Sequence, residues 1–116
     1  MEANINKYVI DIDGTICSNN NGDYKNSVPY KNRILFINEL FESGNTIVYF
    51  TARGMGSTKN NRAEAIDKWF EFTKKQLDGW GAKYNELILG KPSADFYIDD
   101  KNLSIFYFFN NSGKTK

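Results

Sequence analysis

Two aspartates two residues apart, Asp11 and Asp13, close a short apolar stretch and run directly into Gly14 and Thr15. Side chains alternate along an extended chain, so this spacing puts both carboxylates on the same side. Three further apolar stretches end in chemically useful residues: Thr51 with Ala52 and Arg53, Gly90 with Lys91, and Asp99 with Asp100. Ligands of open α/β sheets bind beyond the carboxyl ends of the strands, so these groups are expected to converge on one edge. Crowded carboxylates repel, and each is driven towards protonation unless a cation relieves them. Mg²⁺ takes oxygen ligands, needs only a few carboxylates and keeps waters that a substrate phosphate can replace. Lys91 adds a positive point charge suited to phosphate. The set is complementary to a phosphate dianion with Mg²⁺. One carboxylate of the Asp11, Asp13 pair could attack phosphorus, forming an aspartyl-phosphate. The other could protonate the leaving alkoxide and then activate water. Gly14 lets the chain turn sharply and bring backbone N–H groups towards the phosphoryl oxygens.

The elements that must hold these residues follow from the apolar pattern. Residues 7–12 predict a buried strand, and the polar, Asn-rich residues 18–28 a loop or small flap. Ser27-Val28-Pro29 predicts a helix start with Pro near the first helical position. Ile34, Ile37, Leu40 and Phe41 give that helix a buried face, and Gly44-Asn45 stops it. Thr46-Ile47-Val48-Tyr49-Phe50 is the clearest strand, apolar throughout as when both sheet faces are covered. Asn61 with Glu64 marks a second helix start. Ala63, Ile66, Phe70, Thr73 and Leu77 then recur at helical spacing up to Gly79 and Gly81. Leu87-Ile88-Leu89 and Phe96-Tyr97-Ile98 predict two more short strands, while residues 102–109 suit either a helix or a strand. The polar tail, residues 110–116, is expected to fray. Alternating strands and helices predict a three-layer α/β sandwich with a parallel sheet, in one domain spanning 1–116.

Composition excludes other chemistries. The 116 residues contain no histidine and one cysteine, Cys17. Ser-His-Asp triads, Cys-His pairs and His-based zinc helices are therefore absent, as are intrachain disulfides and C-x-x-C metal knuckles. The C-x5-R cysteine-phosphatase pattern also fails, because position 23 is Asp. Fifteen Lys and Arg against 14 Asp and Glu leave a net charge of +1, which gives no electrostatic reason to expect nucleic acid or a membrane surface. No apolar run approaches a membrane span, and Met1-Glu2-Ala3-Asn4 lacks signal-peptide features, so a cytoplasmic location is expected. The abundance of Asn, Lys, Ile, Phe and Tyr reads as a bias of AT-rich codons.

Asp11-Ile12-Asp13-Gly14-Thr15 resembles the D-x-D-G-T signature of the haloacid dehalogenase superfamily of phosphatases. Thr51, Lys91 and Asp99-Asp100 look like its other three motifs, in order, so the resemblance spans roughly residues 7–101. It implies a Rossmann-like fold, Mg²⁺ dependence and phosphoryl transfer. It makes Asp11 the nucleophile and Asp13 the general acid/base, with Thr51 and Lys91 holding the phosphoryl group. Gly14, Thr15, Ala52 and Arg53 would line the substrate. Asp99 would bind Mg²⁺ with Asp11 and the backbone carbonyl of Asp13, and Asp100 would bind through water or orient Lys91. Thr51-Ala52-Arg53-Gly54-Met55-Gly56, Trp80-Gly81, Gly90-Lys91-Pro92 and Ala94-Asp95 further resemble small members from capsule and surface-polysaccharide biosynthesis loci.

The intervals from Asp13 to Thr51 and from Thr51 to Lys91 are filled by the flap, two helices and two strands. No room remains for a cap domain, so the site is expected to be open or roofed by loops or another subunit. The leading expectation is a phosphomonoesterase acting on a small phosphorylated metabolite such as a sugar phosphate. An open site also admits a nucleic-acid 3′-phosphate or a phosphoprotein, and a non-catalytic partner in a biosynthetic complex is the reading from another class. Arg53 is balanced between binding a remote substrate group and pairing with a neighbouring carboxylate. Trp69 and Trp80 are expected to be packing residues; the aromatic run 106–109 is expected to be core or dimer surface, with Phe108-Phe109 the best candidate for a homo-oligomer contact.

Overall fold

The computed structural model describes residues 5–110. Strands β1 (Lys7–Ile10), β2 (Thr46–Thr51) and β3 (Glu86–Leu89) form a parallel sheet in the order β1-β2-β3. Helices α1 (Lys31–Glu42) and α2 (Arg62–Gly79) connect them, a 3-10 turn spans Tyr24–Asn26, and α3 (Ile105–Asn110) follows the sheet. Tyr8 lies opposite Ile47, Ile10 opposite Tyr49, and Tyr49 opposite Leu87, so these side chains share one face. That face meets Ile34 and Ile37 of α1, Leu77 of α2 and Phe108 of α3 in one cluster. Each isoleucine so buried contributes about 2 kcal/mol relative to an exposed one. Lys7, Val9, Val48, Phe50, Glu86 and Ile88 alternate onto the other face, which lines a groove. Among the described residues no helix is long and apolar enough to cross a membrane.

Asparagine side chains stitch the amino end of the sheet. Asn45 Oδ1 accepts the Asn6 amide at 2.8 Å, and Asn85 Oδ1 accepts the Ile47 amide at 2.7 Å. Asn61 caps α2, accepting the Glu64 amide at 3.1 Å as its spacing predicts. Part of the asparagine bias therefore has a structural use.

Four expectations are corrected. Helix α1 begins at Lys31, beyond Pro29, because residues 28–30 stay extended against 16–18: Ser18 N–H donates to Val28 O, and Tyr30 N–H to Ile16 O. Phe96-Tyr97-Ile98 forms no strand; Phe96 is 83% and Ile98 96% exposed. Tyr97 instead bonds locally, its hydroxyl to the Pro92 carbonyl and its ring to the Lys91 ammonium 4.2 Å away. Residues 105–110 are helical, so Asn110 closes α3 rather than opening a tail, and 111–116 lie outside the described residues. Phe108 is a core residue rather than an oligomer contact: it is 7% exposed and packs against Tyr8, Phe36 and Phe109. Trp69 packs edge-on to Tyr24 and Phe72, and Trp80 lies against the core, both as expected.

Candidate active site

All three strands end at the same edge of the sheet, because they are parallel and in register. Asp11 follows β1 directly, Thr51 is the last residue of β2, and Lys91 lies two residues past β3. The Lys91 amide donates to the Thr51 carbonyl at 3.2 Å, which fixes the β3 exit beside β2. From there the Lys91 ammonium reaches Asp11 Oδ1 at 3.6 Å. Thr15 Oγ1 donates to Asp11 Oδ2 at 3.4 Å. Burial pushes the Asp11 carboxyl above the usual carboxylate range; Lys91 and the Ile12 amide oppose this, and the Asp13 charge adds to it. Asp11 is thus a partly buried carboxylate, 36% exposed, with one ammonium beside it and a second negative charge nearby.

Asp13 has a different partner. Arg53 Nε donates to its Oδ2 at 2.9 Å and Arg53 Nη2 to its Oδ1, also at 2.9 Å. This is a two-pronged fork on a carboxylate 18% exposed, from a guanidinium with no exposure at all. Arg53 Nη1 donates to Thr73 Oγ1 at 3.3 Å, and its guanidinium carbon lies 4.7 Å from the centre of the Tyr24 ring. Tyr24 is held in turn by the Gly54 amide, which donates to its hydroxyl at 3.0 Å, and by Gln76, whose Nε2 donates to its carbonyl. The flap is therefore anchored over the inner side of the pair. Cys17 is fully buried and its thiol donates to Asp13 Oδ1 at 3.6 Å. Burial, reinforced by the Asp13 charge, pushes that thiol up to about 12, so it carries no nucleophilic thiolate at neutral pH.

Several expected site residues take other roles. Arg53 faces inward to Asp13 rather than outward to a substrate. Gly14, at φ +85, makes the sharp turn, but its N–H donates to Cys17 O and that of Thr15 to Ile12 O, so both amides are used inside the loop. Thr51 is 1% exposed, and its Oγ1 accepts the Arg53 amide at 3.1 Å while its own proton can still be donated. The Ala52 carbonyl accepts the Met55 amide and closes the loop after β2. Asp99 and Asp100 stand on the exposed segment beyond Ile98 rather than joining the first pair of aspartates. The Lys101 amide, donating to Asp99 Oδ1 at 2.9 Å, holds Asp99 below its ordinary range. Among the described residues, no three acidic or thiol side chains gather as a metal site.

No protein-family model and no curated protein matches the chain. A solved structure does. The crystal structure of an MCSG target from Vibrio cholerae superposes with a TM-score of 0.83 at 30% identity, over 91% of this chain and 89% of that one. The two chains belong to one family.

Two residues that position this site escaped the sequence reading. Thr73 is fully buried on α2, where helical spacing alone marks it as a core position. Tyr24 is an aromatic residue within an Asn- and Gly-rich loop, and that contrast was the available signal. Neither spacing nor residue type points to their shared target, the guanidinium of Arg53.

Proposed function

We propose that the protein is a phosphomonoesterase that works through an aspartyl-phosphate on Asp11, within a haloacid dehalogenase-like fold. The observation that carries this reading is the meeting of Asp11, Thr51 and Lys91 at one sheet edge, with Asp13 held close by but by a separate partner. An Asp11 oxygen attacks phosphorus, and the phosphorus–oxygen bond to the leaving group breaks. The proton carried by Asp13 passes to the leaving oxygen. Water then gives a proton to Asp13 and attacks phosphorus, breaking the bond to Asp11 and releasing phosphate. Lys91, now paired with Asp11, is placed to follow the incoming dianion as charge on Asp11 is used up. The Thr51 hydroxyl donates towards the same phosphoryl group.

The residues fit Mg²⁺ in part. Asp11 is a hard oxygen donor whose charge is disfavoured by burial, and a cation beside it relieves that penalty. Bound there, Mg²⁺ would supply positive charge against the phosphoryl oxygens. Asp99 and Asp100 would complete its ligands if residues 96–98 added a strand beside β1. Two features support that rearrangement: β1 pairs with β2 alone among the described strands, and Val9, Phe96 and Ile98 are all exposed. A fourth strand with a second helical layer would give the three-layer sandwich. The resemblance of the short motifs around Thr51 and Lys91 to small superfamily members from polysaccharide-biosynthesis loci favours a sugar phosphate as substrate.

The test is a hydrolysis screen with Mg²⁺ over p-nitrophenyl phosphate, sugar phosphates, a 3′-phosphorylated oligonucleotide and a phosphopeptide. The expected result is hydrolysis that EDTA abolishes, with the highest kcat/KM on a sugar phosphate. One observation favours a second reading, a non-catalytic binding partner: Asp99 and Asp100 stand apart from Asp11. The absence of turnover on every substrate would decide for it.

A further inference from the structure

We infer that Arg53 is a positioning residue for Asp13, setting the plane of its carboxylate for proton transfer to the leaving group; this rests on the phosphatase reading. A general acid works only if its oxygen points at the atom it protonates, and misplacement by about 1 Å can lower a rate about 100-fold. An aspartate in a loop has two free side-chain torsions. The fork of Arg53 removes that freedom by binding both carboxylate oxygens at 2.9 Å. The fork is itself immobilised by Thr73 Oγ1 on one side and by the Tyr24 ring on its face.

The same residue reaches a second member of the site. Its backbone amide donates to Thr51 Oγ1 at 3.1 Å. Arg53 therefore ties Asp13 through its side chain and Thr51 through its main chain. An apolar residue could fill this buried space without desolvating a guanidinium, so stability alone is a weak reason for an arginine here. Asp13 keeps 18% of its side chain exposed, which leaves an outward edge for the proton path. During turnover Asp13 loses its proton to the leaving oxygen and regains one from water, and the fork holds the same carboxylate plane through both half-reactions.

A positioning role predicts a dependence on the leaving group that a purely structural role does not. p-Nitrophenolate leaves with little need of a proton, whereas an alkoxide needs one. Arg53→Lys keeps the charge but loses the fork. Its kcat/KM is expected to fall about 100-fold on glycerol phosphate and less than about fivefold on p-nitrophenyl phosphate. Thr73→Val leaves Arg53 in place and loosens it. It should show the same preference at a smaller size, about fivefold to tenfold on the alkyl ester alone, which keeps the test decisive if Arg53→Lys does not fold. Equal losses on both substrates in a folded variant overturn the positioning role and leave the phosphatase reading intact. A wild-type protein inactive on both of these and on every substrate of the hydrolysis screen overturns the two together.

Discussion

Replacing Asp11 with Asn is expected to abolish turnover and, in metal-free protein at pH 7, to raise the melting temperature. The loss of activity follows from the loss of the nucleophile. An amide oxygen is a poor nucleophile and cannot form the aspartyl-phosphate, so kcat should drop by about 1,000-fold or more. The gain in stability follows from the surroundings of the carboxyl. Burial raises the Asp11 carboxyl above its ordinary range more than Lys91 and the Ile12 amide lower it. A group whose folded pKa lies above its unfolded pKa favours the fold fully below the unfolded value. That contribution is lost as pH rises through the folded value. At pH 7 the charged Asp11 therefore opposes folding, and a neutral isostere removes the penalty. The gap in melting temperature between variant and wild type should close on acidification, when wild-type Asp11 is also neutral. A variant that melts lower than wild type at pH 7 would show that the Lys91 and Thr15 contacts outweigh burial.

Gly54→Ala should destabilise the protein by about 2–4 kcal/mol, combining left-handed backbone strain with overpacking. Gly54 sits at φ +80. A Cβ there would lie 2.5 Å from Trp69 Cδ1, 3.1 Å from Ala65 Cβ and 3.2 Å from Ala65 Cα. Ala65 belongs to α2 and is fully buried, so its backbone cannot move aside locally. The loop must shift instead, carrying the Gly54 amide off the Tyr24 hydroxyl and disturbing the ring that packs on Arg53. The expected drop in melting temperature is about 10 °C, with weaker phosphatase activity at temperatures where the variant is still folded. A drop of less than about 2 °C would mean that this loop is not closely packed on α2.

The parts legible in the sequence are those set by local pattern. Thr46-Ile47-Val48-Tyr49-Phe50 is β-branched and aromatic without a break, and it forms the central strand. Asn61 and Glu64 stand at the spacing of a helix cap, and the cap forms. Asp11, Thr51 and Lys91 were expected together because each ends an apolar stretch, and parallel register delivers them to one edge. The illegible parts depend on partners distant in sequence. Phe96-Tyr97-Ile98 has the composition of a strand, yet a strand also needs a neighbouring edge, and contacts of Tyr97 with Lys91 and Pro92 take its place. Residues 102–109 are so rich in apolar side chains that periodicity could not separate helix from strand, nor a core position such as Phe108 from a surface one. Arg53 could not be assigned from spacing, because whether its side chain turns inward or outward depends on the path of the loop around Gly54.

Trapping the phosphoenzyme tests the central claim most directly. With Asp13→Asn the second half-reaction loses its base, so an intermediate formed from p-nitrophenyl phosphate and Mg²⁺ should accumulate. Acid quenching, proteolysis and mass spectrometry should find one phosphoryl group on Asp11, stable to acid and removed by hydroxylamine, and no such label in Asp11→Asn. A phosphatase that turns over with no label at Asp11, or with a hydroxylamine-resistant label on another residue, would contradict the mechanism.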